Sequence, residues 1–188
     1  MAPEAGTGDT PKKRDEHTYR GVFGAFPYAF RASDSWLFRS YVVVGGVAAL
    51  LLTVIFALAL VRLFGATARA RFSVVRAFFF LVGLAAVAPT VAPVLLVART
   101  RRREVPRRPG YEAGLALAGY LFLASLYLGL VAAMPETFVL DGETVIRPPP
   151  SGPLAPAVAF LYALPQAVGA SIPALGAALV ALAHWLRR

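Results

Sequence analysis

The sequence contains no cysteine and only two histidines among its 188 residues. The lack of cysteine excludes disulfides, thiolate metal sites and cysteine nucleophiles. His17 and His184 lie in the N-terminal tail and near the end of the chain, and without cysteines or clustered acids they do not form an ordinary zinc or iron site. We therefore predict a protein with no metal and no other cofactor.

Charge is missing from four long apolar runs, in a chain that is 58% hydrophobic with a mean hydropathy of +0.65. Each run is long enough to cross the roughly 30 Å hydrocarbon core of a bilayer as a helix. The sequence therefore predicts an all-α protein, a four-helix transmembrane bundle that makes up residues 41–188. The predicted spans are residues 41–61, 77–98, 113–134 and 160–186.

The fourth apolar run, Leu154–Leu186, is longer than one straight span needs. Pro156 and Pro165 are expected to divide it into an interfacial entry and a kinked or tilted span. The loop before it holds Asp141-Gly142 between two β-prone segments, which predicts a short external β-hairpin with a type I′ turn.

Basic residues outnumber acidic ones by 19 to 10, and they flank the apolar runs. Four spans place both termini on one side, which carries 14 of the basic residues against 5 on the other. The positive-inside rule then favours a cell-membrane protein with a cytoplasmic N-terminus and C-terminus, and nucleic-acid binding is disfavoured. The arginines of the first loop count against this orientation: Arg62, Arg69, Arg71 and Arg76.

The N-terminal region divides into a polar segment, residues 1–18, predicted to be a disordered cytoplasmic tail, and an aromatic segment, residues 19–40. Tyr, Trp and Arg side chains favour the membrane surface, so the second segment is predicted to be an amphipathic interfacial anchor. Pro27 is expected to break it, and Ser33 or Asp34 to cap the first span. The predicted anchor residues are Tyr19, Arg20, Phe23, Phe26, Tyr28, Phe30, Arg31, Trp36 and Arg39. A docking site for a cytoplasmic partner is the less favoured alternative.

The stretch YRGVFGAFPYAFRASDSWLFRSYVVVGG resembles the opening of small multi-pass membrane proteins of unknown function from halophilic archaea. The resemblance is specific over about thirty residues and compositional elsewhere. It implies a membrane location and an archaeal source, and it implies no activity, ligand or functional residue.

No Asp, Glu, Lys or Arg falls inside a predicted span, so proton relays and intramembrane carboxylate chemistry are not expected. An enzyme would need acids from the loops, of which Glu104 and Glu112 lie on the opposite side from the rest. The candidate acids are Glu104, Glu112, Glu136, Asp141 and Glu143. We predict that the protein is not an enzyme.

Spans two and four each contain two prolines, and broken helices in two halves of a transporter can free backbone carbonyls for a ligand. The transport-pathway candidates are Pro89, Thr90, Pro93, Pro165, Gln166 and Ser171. Prolines also shape packing alone, and this interpretation is favoured. A polar cavity near Thr90 and Gln166 is the feature that would distinguish a transport pathway from packing alone.

Small residues indicate close helix packing, either within one chain or between copies. Gly114 and Ala118 are four apart in span three, and Ala170, Ala174 and Ala178 form a stripe in span four. The sequence therefore predicts a non-catalytic, structural or accessory membrane component. Its expected partners are the lipid bilayer and a membrane protein or further copies of itself, with a small transporter or channel subunit as the alternative.

Overall fold

The computed structural model describes residues 21–66, 74–104, 106, 108–140 and 142–187. The helices are α1 (Gly21–Ala32), α2 (Trp36–Ala66), α3 (Val74–Arg102), α4 (Tyr111–Ala132), α5 (Ala155–Tyr162) and α6 (Gln166–Leu186). The strands are β1 (Thr137–Leu140) and β2 (Glu143–Ile146). The predicted tail, and Tyr19 and Arg20 of the predicted anchor, lie outside the described residues.

Four of these helices are long and apolar enough to cross a membrane, at Trp36–Gly65, Ala77–Arg102, Tyr111–Ala132 and Gln166–Leu186. The predicted all-α four-helix bundle with a short hairpin is confirmed, and its architecture is that of a multi-pass membrane protein. We call the end where α2 and α4 begin and α3 and α6 end the arginine-rich end. The opposite end is the hairpin end.

The hairpin pairs Thr137 with Ile146 and Leu140 with Glu143 in antiparallel register, as predicted. Gly142 has a φ of +90°, a conformation that glycine adopts without steric cost. Asp141, the other half of the predicted turn, lies outside the described residues. The hairpin connects α4 to the extended segment that leads into α5.

α1 is one helix with Pro27 inside it, so the predicted break at Pro27 is wrong. A proline removes a single backbone donation, here to the carbonyl of Phe23. Ala25 and Ala29, on either side of Pro27, are both fully buried, and their packing against the bundle holds the two turns in line. Phe23, by contrast, is 92% exposed, so α1 has one buried and one exposed face.

The helix is interrupted after α1, at residues 33–35, and α2 begins at Trp36 as expected. Its cap is Ser35, whose hydroxyl accepts a hydrogen bond from the Phe38 amide at 3.3 Å. The prediction of Ser33 or Asp34 as the cap is therefore wrong by one or two positions. Ser33 is instead fully buried, where its hydroxyl has a tertiary partner.

The fourth apolar run is divided as predicted, with α5 before Pro165 and α6 after it. α6 begins at Gln166, later than the predicted start of the span at residue 160. The extended backbone of Pro165, with ψ at 138°, ends the short helix and starts the long one. α5 buries none of its residues.

The core lies toward the arginine-rich end. Its largest fully buried side chains include Phe38 and Tyr41 of α2, Val94 of α3 and Leu115 of α4. On the hairpin side, the second half of α2 and the first turns of α3 have no buried residue among those whose side chains are described. α2 and α3 are thus packed into the bundle mainly toward the end where the arginines lie.

Candidate functional site at the arginine-rich end

Four polar residues form a cluster at the arginine-rich end, which we call the Glu112 cluster: Ser33, Asp34, Arg101 and Glu112. The Ser33 hydroxyl donates to Glu112 Oε2 at 2.5 Å, and Arg101 Nε donates to Glu112 Oε1 at 2.6 Å. Both carboxylate oxygens of Glu112 are therefore engaged. The other arm of Arg101, Nη2, lies 3.4 Å from Asp34 Oδ2.

Local backbone geometry places Ser33 for this contact. Ser33 is the residue after α1, and its amide still donates to the Ala29 carbonyl at 3.1 Å. Its carbonyl accepts from Arg39 Nε at 2.8 Å, and its hydroxyl accepts from the Ser35 amide at 3.2 Å. The turn between α1 and α2 is thus held from both sides and directs the hydroxyl at α4.

The members of the Glu112 cluster differ in exposure. The side chain of Glu112 is 16% exposed, that of Arg101 is 39% exposed and that of Asp34 is 92% exposed. An exposed ion pair contributes little to stability, so Arg101 with Asp34 is the weaker contact. The half-sheltered pair of Arg101 with Glu112, backed by buried Ser33, joins α3, α4 and the turn before α2.

A second set of contacts joins α4 to the end of α6. The Tyr111 hydroxyl lies 2.7 Å from His184 Nδ1. Arg187 Nη1 donates to the Gly110 carbonyl at 3.0 Å, and Arg108 Nη1 donates to the Leu186 carbonyl at 3.2 Å. Arg108 thereby satisfies a carbonyl in the last turn of α6, and Arg187 adds a second donor to the Gly110 carbonyl, which also accepts from the Gly114 amide.

A cavity of about 600 Å³ lies beside these contacts. It is lined by Asp34, Ser35, Thr100, Arg101, Glu104, Arg108, Gly110, Tyr111, Glu112 and Ala113. Its charged groups are of both signs, and those of the Glu112 cluster are paired with each other. The Glu112 carboxylate accepts from Ser33 and Arg101, so it is a clasp that links α4 to α3 and to the turn before α2. Within the described part of the chain, no three His, Asp or Glu side chains come close enough to hold a metal ion.

The predicted transport residues of the second span, Pro89, Thr90 and Pro93, are packed into the bundle. Thr90 is fully buried, and its hydroxyl donates to the Ala86 carbonyl at 2.9 Å. Its own carbonyl accepts a hydrogen bond of 2.7 Å from the Tyr41 hydroxyl. Both the hydroxyl and the carbonyl of Thr90 are therefore bonded within the protein.

Tyr41 reaches α3 because α4 leaves room for it. A Cβ atom added at Gly119 would overlap the Tyr41 ring. The ring of Tyr120 packs edge-on against Tyr41 with centroids 5.2 Å apart. The Tyr120 hydroxyl also lies 2.9 Å from the hydroxyl of Ser40. Tyr41 is thus a wedge between α2, α3 and α4 that the sequence analysis had not singled out.

The transport candidates of the fourth span lie elsewhere. Pro165 and Gln166 help to line a cavity of about 440 Å³ at the hairpin end, beside Arg147. The Arg147 guanidinium lies 3.8 Å from the centre of the Tyr162 ring and donates to the Met134 carbonyl at 2.9 Å. Ser171 is exposed on α6. Thr90 is not among the residues that line this cavity, so the two sets of candidates do not meet there.

The described anchor residues lie on both faces of α1 and at the start of α2. Trp36 is 81% exposed, whereas Tyr28 packs against the core. The Phe26 ring would lie 3.3 Å from a Cβ added at Gly46. Arg39 lies 5.8 Å from the centre of the Phe30 ring, and Arg31 is exposed in the last turn of α1.

Of the predicted small residues, Ala118 of α4 is buried beside Val180 of α6, and a Cβ added at Gly114 would lie 2.8 Å from Arg187 Nε. The predicted stripe on α6, by contrast, is not at a helix contact. Ala170, Ala174 and Ala178 face away from the bundle and are exposed. α6 instead meets α4 through Gly169, since a Cβ added at Gly129 of α4 would lie 2.6 Å from the Gly169 carbonyl oxygen. The α6 contact face, which includes Gly169 and Pro173, lies one position away from the predicted stripe.

The chain matches the family model described as "Domain of unknown function (DUF8056)" over residues 7–188. It belongs to the DUF8056 family. No curated protein and no solved structure matches it. The match covers the Glu112 cluster, all four spans and the hairpin, so the architecture described above is that of a DUF8056 domain.

Proposed function

We propose that this DUF8056 protein is a non-catalytic, structural or accessory component of the cell membrane, with both termini in the cytoplasm. Its partners are the bilayer and a membrane protein or further copies of itself. In this orientation the Glu112 cluster lies at the cytoplasmic surface and the β-hairpin at the outer one, as the distribution of basic residues favours.

The bonding of Thr90 carries this proposal. A transport site built on a broken helix presents free carbonyls and hydroxyls to its ligand. Here the hydroxyl of Thr90 bonds to Ala86, and its carbonyl bonds to Tyr41. Both polar groups of Thr90, which lies between the two prolines, are therefore bonded within the protein, as a packing role requires.

The Glu112 cluster supports the same proposal. A catalytic carboxylate lies within hydrogen-bond reach of the proton that it takes from or gives to a substrate. Both oxygens of Glu112 are held by the chain itself, at 2.5 Å and 2.6 Å. The group that sequence analysis named among the acids for an enzyme acts instead to hold three helices at fixed positions.

Purification from native membrane in mild detergent tests the proposal, with the mass and composition of the particle as the readout. We expect either a second membrane protein at fixed stoichiometry or a particle that contains only copies of this chain. The first result assigns an accessory role and the second a self-contained assembly. Solute flux or turnover by the purified particle contradicts the non-catalytic, structural proposal.

A small transporter or channel subunit is the alternative, and the cavity at the hairpin end, which Pro165 and Gln166 line, favours it. Flux measured in proteoliposomes separates the two. Under the alternative, Pro89→Ala or Pro165→Ala changes the flux. Under the structural proposal, wild-type protein shows no flux above that of empty vesicles. The resemblance to proteins of halophilic archaea stays a prediction about the source.

A further inference from the structure

The last turns of α3 carry three arginines on one face: Arg99, Arg102 and Arg103. They follow Leu95 at the spacing of four, seven and eight residues that puts side chains on the same side of a helix. Together these four residues line a shallow cavity of about 580 Å³. We call Arg99, Arg102 and Arg103 the arginine triad.

The arginine triad differs in its electrostatics from Arg101, which lies between its members in sequence. The guanidinium of Arg101 is paired with Glu112 and Asp34. No acidic residue lines the triad's cavity, and among the described residues Arg99 and Arg103 form no ion pair. All three side chains of the triad are exposed. Arg99 and Arg103 therefore bring two positive charges to the cavity that no described acidic residue pairs with.

The favourable interaction of cations with a helix C-terminus explains part of this pattern. That interaction does not explain why the apolar side chain of Leu95 also lines the cavity. Leu95 is one turn closer to the middle of the span than Arg99, and it is half-buried. The cavity thus has an apolar side toward the membrane interior and a basic side toward water, which is the order of groups in a phospholipid.

We propose that Arg99 and Arg103 of the arginine triad bind the phosphate of an anionic phospholipid, with Leu95 in contact with the lipid's apolar part. Guanidinium groups bind phosphate oxygens through paired, charge-assisted hydrogen bonds. Basic pockets on transmembrane helices at the membrane surface are known to select anionic head groups. The bound lipid lies in the leaflet at the arginine-rich end, beside the Glu112 cluster.

Lipid binding to the purified full-length chain tests this proposal. Native mass spectrometry of the protein in detergent measures retention of phosphatidylglycerol against phosphatidylcholine of matched acyl chains. We expect wild-type protein to retain phosphatidylglycerol preferentially. The double variant Arg99→Gln with Arg103→Gln should weaken that retention by about thirty-fold, from the typical contribution of each arginine near an anionic membrane surface.

The matched control is the double variant Arg31→Gln with Arg62→Gln, which removes the same number of exposed charges from α1 and α2. It should keep the wild-type preference. Equal loss in both variants overturns the proposal, since it indicates a general effect of charge. Equal retention of the two lipids by wild-type protein also overturns it. Displacement of the lipid by millimolar inorganic phosphate assigns the site to free phosphate and overturns the lipid assignment.

Discussion

The α4–α6 pair and the α2–α3 pair are both antiparallel helix contacts, but they are made from different parts of the chain. In α4–α6 the backbones touch: a Cβ added at Gly129 would lie 2.6 Å from the Gly169 carbonyl oxygen and 2.7 Å from the Pro173 ring. On the hairpin side of α2–α3 the contact is made by side chains. There the rings of Phe56 and Phe79 meet edge-on with centroids 5.6 Å apart.

This difference between backbone and side-chain contacts indicates which helix pair can accommodate a substitution. Lipid tails are as apolar as the helices, so helix association in a membrane depends on close packing and hydrogen bonds. A backbone contact cannot move without moving a whole helix, whereas an aromatic ring can rotate. We therefore expect α4–α6 to be the rigid part of the bundle and the hairpin side of α2–α3 to tolerate substitution.

The largest effect should come from Gly129→Ala. The new methyl would overlap the Gly169 carbonyl oxygen, which belongs to the backbone, so α4 and α6 must separate. We expect a loss of about 2–3 kcal/mol in the free energy of unfolding. Equilibrium unfolding in mixed micelles with increasing dodecyl sulfate, followed by circular dichroism, measures it.

Gly65→Ala is the matched control, because a Cβ at Gly65 in α2 meets nothing within 4 Å. It should leave the unfolding midpoint unchanged or raise it slightly, since alanine is the better helix former. Equal midpoints for the Gly129→Ala and Gly65→Ala proteins would contradict the backbone contact between α4 and α6.

A smaller loss of stability should follow from Ser33→Ala, which removes the hydrogen bond between the turn before α2 and Glu112 of α4. Without the hydroxyl, one oxygen of the half-sheltered Glu112 carboxylate has lost its partner. We expect a loss of about 1–2 kcal/mol in the free energy of unfolding, measured in the same way. Thr53→Ala serves as the control, since Thr53 is exposed and its hydroxyl donates to the Ala49 carbonyl of its own helix. A loss as large in that control would argue against the Glu112 cluster.

Tyr41→Phe keeps the wedge but removes its hydrogen bond to the Thr90 carbonyl. We expect a loss of about 1 kcal/mol in the free energy of unfolding, the typical net value of one hydrogen bond. Tyr127→Phe is the control, because Tyr127 is 68% exposed on α4. If Tyr41→Phe instead creates solute flux in proteoliposomes, the freed carbonyl serves a ligand and the transport alternative gains support.

The smallest effect should come from Gly83→Ala in α3. The new methyl would lie 3.1 Å from the Phe56 ring, which can turn away from it. We expect the free energy of unfolding to change by less than about 1 kcal/mol, the gain in helix propensity offsetting part of the contact. A loss equal to that of Gly129→Ala would remove the distinction between the two pairs.

Individual residues show where sequence reasoning succeeds and where it fails. The turn at Gly142 was predictable, because the backbone conformation that it requires is a property of glycine itself. Pro27 was wrongly expected to break α1, because the packing of Ala25 and Ala29 outweighs the loss of one hydrogen bond. The bond from Ser33 to Glu112 spans 79 residues of chain, and no local pattern marks it. A serine between two helices is ordinarily a cap, and a glutamate in the first turn of a helix ordinarily interacts with the helix dipole.

The sequence by itself determined the four apolar spans, the hairpin and the division of the last run at Pro165. Each depends on short-range properties: the length of an uncharged run, the φ angle of a glycine, the missing amide of a proline. Tertiary structure alone decided that Glu112 is a clasp, that Tyr41 bonds to Thr90 and that α6 meets α4 through Gly169. Those contacts depend on how far each helix is rotated and shifted against its neighbours. Close packing sets that rotation, because hydrophobicity is nearly uniform around α2 and α4 and marks no contact face on them.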